Sequence, residues 1–272
     1  MRIPFVKMHG LGNDFVVLDG RDPSGGALPD MTGKAARALA DRRKGIGCDQ
    51  LIILGESERC DFRMRIFNSD GGEVEACGNA SRAVALLHGA PATVETDGGV
   101  IALEPHDGGA SVDMGTPRFD WDAIPLAYAM DTSAMPVGWE DLESPMAVNV
   151  GNPHAIFFVE DAAAVDLERI GPVIETDSVF SEGVNVNVAS VSGDNHLTLR
   201  VWERGAGLTR ACGTGACATA VAAIAKGLVQ SPVTVSLPGG DLEIAWERGQ
   251  TIRMTGPATE SFRGEFAWED YA

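Results

Sequence analysis

Two stretches of the chain set a cysteine on a bare glycine turn directly before an alanine-rich run: "EACGNASRA" (Glu75 to Ala83) and "TRACGTGACA" (Thr209 to Ala218). A cysteine just before a helix lies beside unpaired backbone N–H groups. Their partial positive charge attracts anions and lowers a thiol pKa toward physiological pH. Gly78, Asn79, Gly213 and Thr214 would supply those groups. No Gly-Lys-Ser/Thr follows either cysteine, so neither turn is a phosphate loop. A pair of such thiols suits inversion of a carbon centre. A base removes a proton from one face and an acid returns one on the other, and the two exchange roles in the reverse direction.

The two turns belong to a longer repeat. An offset of 135 residues (212 minus 77) sets "RIFNSDGGEVEACGN" over "RVWERGAGLTRACGT", with Arg65, Gly72, Ala76, Cys77 and Gly78 falling on Arg200, Gly207, Ala211, Cys212 and Gly213. The same offset sets Gln50 over Asn185, and a slightly larger one sets "LGN" ending at Asn13 over "VGN" ending at Asn152. After each cysteine comes an apolar, helix-like run, "SRAVALLHG" or "ACATAVAAIAKG", ending in a glycine suited to a left-handed C-cap. Three strand-like runs follow in each half: "TVET", "VIALE" and "SVDM", then "VTVSL", "LEIAW" and "TIRM". A domain-sized period excludes solenoid repeats. The pattern predicts an α+β fold of two homologous modules related by a pseudo-twofold axis, each wrapping strands around one central buried helix. The active site then falls in the cleft between them. The expected boundaries are 1–117 for the N-terminal module, joined by a returning segment 259–272, and 118–258 for the C-terminal one. The Pro- and Asp-rich stretch from Arg118 to Ser144 reads as connecting structure.

An amino-acid α-proton is very weakly acidic, and pyridoxal enzymes meet this with a Schiff-base lysine. The chain has four lysines (Lys7, Lys34, Lys44 and Lys226), none beside a cofactor-like motif. The expectation is a cofactor-free site in which the helix N-termini hold the substrate carboxylate and take up spreading charge. Cys212 and Cys217 lack a second ligand pair at metal spacing, so no metal is expected. Cys48, Cys60 and Cys217 read as packing residues.

Composition bounds the rest. With 272 residues, 44% hydrophobic and 22% charged, the chain is globular. A formal charge of -18 repels nucleic acid and anionic membrane surfaces, though it says nothing against a small substrate. No apolar run approaches the roughly 20 residues of a membrane span, and "MRIPFVKMHG" lacks the apolar core of a signal peptide. Five cysteines are an odd number for a secreted disulfide framework, which favours a reducing cytoplasm.

At "HGLGNDFVVLD", "GIGCDQLI", "FNSDGGEVEACGN", "GNPHAIFFVED", "GVNVNVA" and "WERGAGLTRACGTGACA" the chain resembles the diaminopimelate epimerase family, in that order and over essentially its whole length. The resemblance implies interconversion of LL- and meso-diaminopimelate without a cofactor, for lysine and peptidoglycan-precursor synthesis, by a homodimer of two-domain chains. It makes Cys77 and Cys212 the acid/base pair, with His154 and Glu203 tuning their pKa values. It assigns substrate binding to Asn13, Gln50, Asn68, Asn79, Asn152, Asn185, Glu203, Arg204 and Thr214, together with the turn glycines Gly78 and Gly213. The distal end of diaminopimelate is itself an amino acid, so amides, a carboxylate and a guanidinium are fitting partners, with Arg204 holding the distal carboxylate. One departure stands out: family members commonly read Cys-Gly-Asn-Gly-Ala-Arg where this chain has "CGNASR", with Ala80 and Ser81. Two other readings compete. One is a related racemase of proline or hydroxyproline, which typically carries Cys-Gly-His where Cys77-Gly78-Asn79 stands. The other is a non-catalytic amino-acid-binding protein, which would not need two acid/base groups.

Overall fold

The computed structural model describes residues 1–21, 28–75 and 77–271, so Ala76 of the repeated motif and Ala272 at the end of the tail lie outside the described residues. The chain divides into two compact units, Met1–Val112 with Gly256–Ala272, and Asp113–Thr255. These divisions fall a few residues ahead of the expected ones, for a physical reason. The Met114 N–H donates to the Ile252 carbonyl and the Thr251 hydroxyl to the Asp113 carboxylate, which ties the start of the expected connection into the second unit. Pro257 and Ala258 instead bond to Arg82 and Gly108 of the first unit.

The first unit contains β1 (Arg2–Gly10), β2 (Asn13–Asp19), α1 (Gly33–Ala40), β3 (Gln50–Gly55), β4 (Phe62–Asn68), β5 (Glu73–Val74), α2 (Gly78–His88), β6 (Ala92–Thr96), β7 (Gly99–His106) and β8 (Gly109–Asp113). The second contains β9 (Gly138–Trp139), β10 (Leu142–Glu143), β11 (Met146–Asn149), β12 (Pro153–Phe158), α3 (Leu167–Glu175), β13 (Asn185–Gly193), β14 (His196–Glu203), β15 (Gly207–Thr209), α4 (Gly213–Ala225), β16 (Val233–Leu237), β17 (Gly240–Ala245) and the start of β18 (Arg253–Pro257), whose last residues, Gly256 and Pro257, belong to the first. The last strand, β19 (Thr259–Ala267), pairs antiparallel with β1.

Each unit is α+β, and the same sequence of pairings occurs in both. In the first, β1–β2 is antiparallel, β2–β3 parallel, β3–β4 antiparallel, β4–β6 parallel and β6–β7 antiparallel. In the second, β11–β12, β12–β13, β13–β14, β14–β16 and β16–β17 follow the same order of senses. Parallel neighbours need a crossover, and a helix supplies each one: α1 and α3 for the first parallel pair, α2 and α4 for the second. The crossover helix after each cysteine is therefore pinned against the sheet. Nearly every residue of α4 from Gly213 to Ala223 is buried, as are Gly78 to Ala85 of α2. Small side chains let the surrounding strands approach these helices closely. The helix ends behave as the sequence predicts: Gly89 and Gly227 have positive φ values of 76° and 72°, and the Gly89 N–H closes on the Ala85 carbonyl.

The stretch from Arg118 to Ser144 is more than connecting structure. Ile124, Leu126, Met135 and Leu142 are buried in one cluster with Phe157, Ile170, Phe180 and Val186, and so form part of the second unit's core. Their spacing follows neither helix nor strand periodicity, because the segment packs as turns and the short β9–β10 hairpin. Among the described residues no helix is long and apolar enough to cross a membrane.

Candidate active site

Strand register gathers the polar residues of each unit. In the first, Asn13 opens β2, Gln50 opens β3 opposite Phe15, and Asn68 closes β4 directly opposite Gln50. The Gln50 amide donates to Asn68 Oδ1 at 2.9 Å. Its own oxygen is buried with no hydrogen-bond partner among the described residues. A buried carbonyl oxygen left unpaired is costly, and a ligand ammonium would satisfy it. The second unit repeats the placement. Asn152 precedes β12, Asn185 opens β13 opposite His154, and Glu203 closes β14. The positions of Gln50 and Asn68 recur at Asn185 and Glu203, each at the 135-residue offset.

Both cysteines are N-caps with extended backbone: φ −150°, ψ 111° at Cys77 and φ −127°, ψ 108° at Cys212. Their carbonyls start the helices by accepting from Ser81 N–H at 2.9 Å and Ala216 N–H at 3.0 Å. The Ala80–Ser81 departure is accommodated: Ala80 is fully buried, and the Ser81 hydroxyl donates to the Cys77 carbonyl at 2.9 Å. Gly78, Asn79, Gly213 and Thr214 form the first turns after the cysteines.

The two thiols differ in setting. Cys77 is partly exposed and its side chain makes no cap bond. Cys212 is only 3% exposed. Its sulfur accepts from the Gly215 N–H at 3.3 Å and lies 3.5 Å from the Thr214 hydroxyl. The expected lowering of the thiol pKa by the helix terminus does not prevail here. Burial pushes the Cys212 thiol well above its ordinary range and the nearby Glu203 charge pushes it further, while Thr214 and Gly215 offset only part of this. Glu203 is itself raised by burial, and hydrogen bonds from Thr209 and Cys212 hold it partly back. Cys212 is therefore a thiol facing a carboxylate. Removing that charge has a definite sign: Glu203→Gln is expected to lower the Cys212 pKa. Peptide-resolved alkylation across a pH series would then show the Cys212 midpoint moving down. An upward or absent shift would deny the coupling.

His154 is fully buried between two carboxamides. Its Nδ1 lies 3.0 Å from Asn187 Oδ1 and its Nε2 2.9 Å from Asn152 Oδ1. Asn187 donates to both the Gly215 carbonyl and the Thr219 hydroxyl, at 2.9 Å each, so its oxygen is the atom left for the ring. The described hydrogen bonds of His154 thus go to asparagines, whereas Glu203 touches Cys212 directly. Burial lowers the imidazole pKa from its ordinary 6.5 to about 4. The unfolded chain then binds a proton that the folded one refuses between those values, so stability rises with pH through this window. Acidification from pH 7 to 4 is expected to remove about 3 kcal/mol on this account. Denaturant titrations of His154→Gln should show that part of the slope gone; an unchanged slope would sink the assignment.

Arg204 is exposed at the end of the β13–β14 pair. Its backbone N–H donates to Asn185 Oδ1 at 2.9 Å and its guanidinium to the Glu182 carbonyl at 2.8 Å. Gly183, at φ +71°, leaves room for the arginine stem, which a Cβ there would approach to 3.2 Å. Two contributors escaped the sequence reading. Asn187 shares a strand face with Asn185, and the period-two pair in "GVNVNVA" was the available signal. Asp49, whose carboxylate accepts from Asn13 at 2.9 Å, carried no such signal.

The family model for diaminopimelate epimerase matches the chain twice, at residues 5–119 and 146–260. The chain is 67% identical to a diaminopimelate epimerase of Erythrobacter litoralis over the full length of both. It is 63% identical to one of Sphingopyxis alaskensis over 98% of each. A solved structure of a probable proline racemase from Agrobacterium radiobacter aligns with a TM-score of 0.67 over 97% of this chain and 93% of that one. At 16% identity, this is a likeness of fold.

Proposed function

The chain belongs to the diaminopimelate epimerase family, an isomerase family, and we propose that it inverts the α-carbon of diaminopimelate with Cys77 and Cys212 as its two acid/base groups. The observation that carries this reading is the repeated placement of a cysteine as N-cap of the buried crossover helix, once in each unit. In the free enzyme Cys212, raised by burial and Glu203, supplies the proton. Cys77 then acts as thiolate and removes the α-proton from the opposite face. The proton leaves carbon for the Cys77 sulfur while the Cys212 S–H proton arrives at carbon. The enzyme is left with Cys212 as thiolate and Cys77 as thiol, and solvent exchange or the reverse reaction resets the pair. Backbone N–H groups of Gly78, Asn79, Gly213 and Thr214 stabilise the negative charge spreading into the α-carboxylate.

Asn13, Gln50 and Asn68 on one unit, and Asn152, Asn185, Glu203 and Arg204 on the other, bind the ammonium and carboxylate groups of the substrate. The orphaned Gln50 oxygen is an acceptor for an ammonium. The proposed cycle uses only groups of the chain itself.

Incubation of the purified protein with LL-diaminopimelate in deuterated water tests the reading. The expected result is formation of the meso isomer with deuterium at the inverted carbon. Turnover of proline but not of diaminopimelate would replace it with the racemase reading. Binding without isotope exchange would replace it with the non-catalytic one.

A further inference from the structure

Four side chains of the first unit form a hydrogen-bonded relay with a fixed direction. Arg82 Nη2 donates to Asn79 Oδ1 at 2.9 Å. Asn79 Nδ2 donates to Asn13 Oδ1 at 3.2 Å. Asn13 Nδ2 donates to Asp49 Oδ2 at 2.9 Å. A guanidinium only donates and a carboxylate only accepts, so the two carboxamides between them have a single consistent orientation. Turning either one over sets oxygen against oxygen or N–H against N–H.

The ends of the relay are held independently. Arg82 is completely buried, and its Nε also donates to the Pro257 carbonyl at 3.4 Å. Its guanidinium fits beside Gly10, where a Cβ would come within 3.3 Å of Nη2. The Asp49 oxygen that receives Asn13 also accepts the Asp14 N–H at 3.1 Å, while its other oxygen takes Arg42 at 2.7 Å.

We propose that Asp49 and Arg82 are positioning residues for the epimerase reaction: from opposite ends they fix the orientation of the Asn13 and Asn79 carboxamides that meet the amino-acid head of the substrate. This rests on the functional reading above. The relay uses one lone pair of each carboxamide oxygen, and the second lone pair of Asn13 Oδ1 is an acceptor for the substrate ammonium. The charged ends make this orientation a property of the fold, present before substrate arrives, so that binding needs no reorganisation of the amides.

Asp49→Asn is the informative variant. It is nearly isosteric and its site is half-exposed, but it removes the charge that anchors the acceptor end, and its single oxygen can no longer receive both Asn13 with the Asp14 N–H and Arg42. The expected result is a KM for LL-diaminopimelate raised about tenfold, with kcat within about threefold of wild type. Arg42→Gln serves as the control, because it removes the ion pairs to Asp14 and to the other Asp49 oxygen and leaves the relay acceptor in place; both constants should stay near wild type. An unchanged KM in Asp49→Asn, or an equal rise in Arg42→Gln, overturns the proposal. A second readout does not depend on turnover. With isotope-labelled asparagine, one side-chain N–H each of Asn13 and Asn79 should exchange slowly with solvent in wild type and quickly in Asp49→Asn. Equal exchange in the two proteins overturns the relay even where activity is present. Absence of wild-type turnover, by contrast, would count against the functional reading, with the exchange measurement still deciding the relay.

Discussion

Cys77→Ala and Cys212→Ala are each expected to lose epimerisation by about 10³-fold or more, since in the proposed mechanism each removes one of two proton-transfer groups, and such groups contribute roughly 10²–10⁴-fold apiece. The loss alone would not distinguish a two-base site from a damaged one, but the isotope pattern does. On the proposed mechanism each variant keeps one thiol on one face of the carbon. It can still remove an α-proton from the isomer presented to that face and return a deuteron there, without inversion. The two variants should therefore exchange opposite isomers: one washes deuterium into LL-diaminopimelate, the other into the meso form. Residual inversion in either variant, or loss of exchange for both isomers in both variants, would sink the two-base assignment. The settings of the thiols add an asymmetry. Cys212 is buried against Glu203 and held as a thiol, so a variant left with Cys212 alone starts with its base protonated. Its exchange should be the slower of the two at neutral pH and should speed up as pH rises.

What the sequence made legible follows from which interactions are local. The cysteine turns, the helices they start and the glycine caps at Gly89 and Gly227 are set by residues within a few positions of each other, and all could be read directly. The duplication was legible because it is written in the chain twice. The crossover helices α1 and α3 were not, being only 8 and 9 residues long, the latter with Pro172 inside it. The core role of Ile124, Leu126, Met135 and Leu142 was hidden by the polar residues around them and by the lack of any period. Electrostatics was the least accessible part. The helix-terminus argument gives the correct sign for one contribution to the Cys212 pKa. The outcome is decided by burial and by Glu203, which only the register of β14 and β15 brings to the sulfur. Asp49 and Asn187 act through partners 36 and 33 residues away in sequence, and such distances are set by strand pairing alone.

The second large effect is expected at Arg204. Its guanidinium is tied to the Glu182 carbonyl by one N–H and to no carboxylate among the described residues, although it sits in a chain with 39 acidic residues. Its backbone is fixed by Asn185, itself anchored to the Pro153 carbonyl at 2.8 Å. An exposed arginine whose stem is positioned while most of its donor fork faces outward is suited to bidentate capture of a ligand carboxylate. In Arg204→Gln the distal carboxylate of diaminopimelate would lose the charged partner proposed for it, and kcat/KM is expected to fall about 10²-fold, mostly through KM. The lysine pair of enantiomers separates this role from general damage, because lysine has the same carbon chain and both amino groups but no distal carboxylate. Wild type should strongly prefer diaminopimelate over lysine, and Arg204→Gln should lose most of that preference by weakening only the former. Arg204→Lys keeps the charge without the fork, and should recover part of the affinity but not the full discrimination. An equal fall for both substrates would move Arg204 from recognising the distal head to supporting the fold around Asn185.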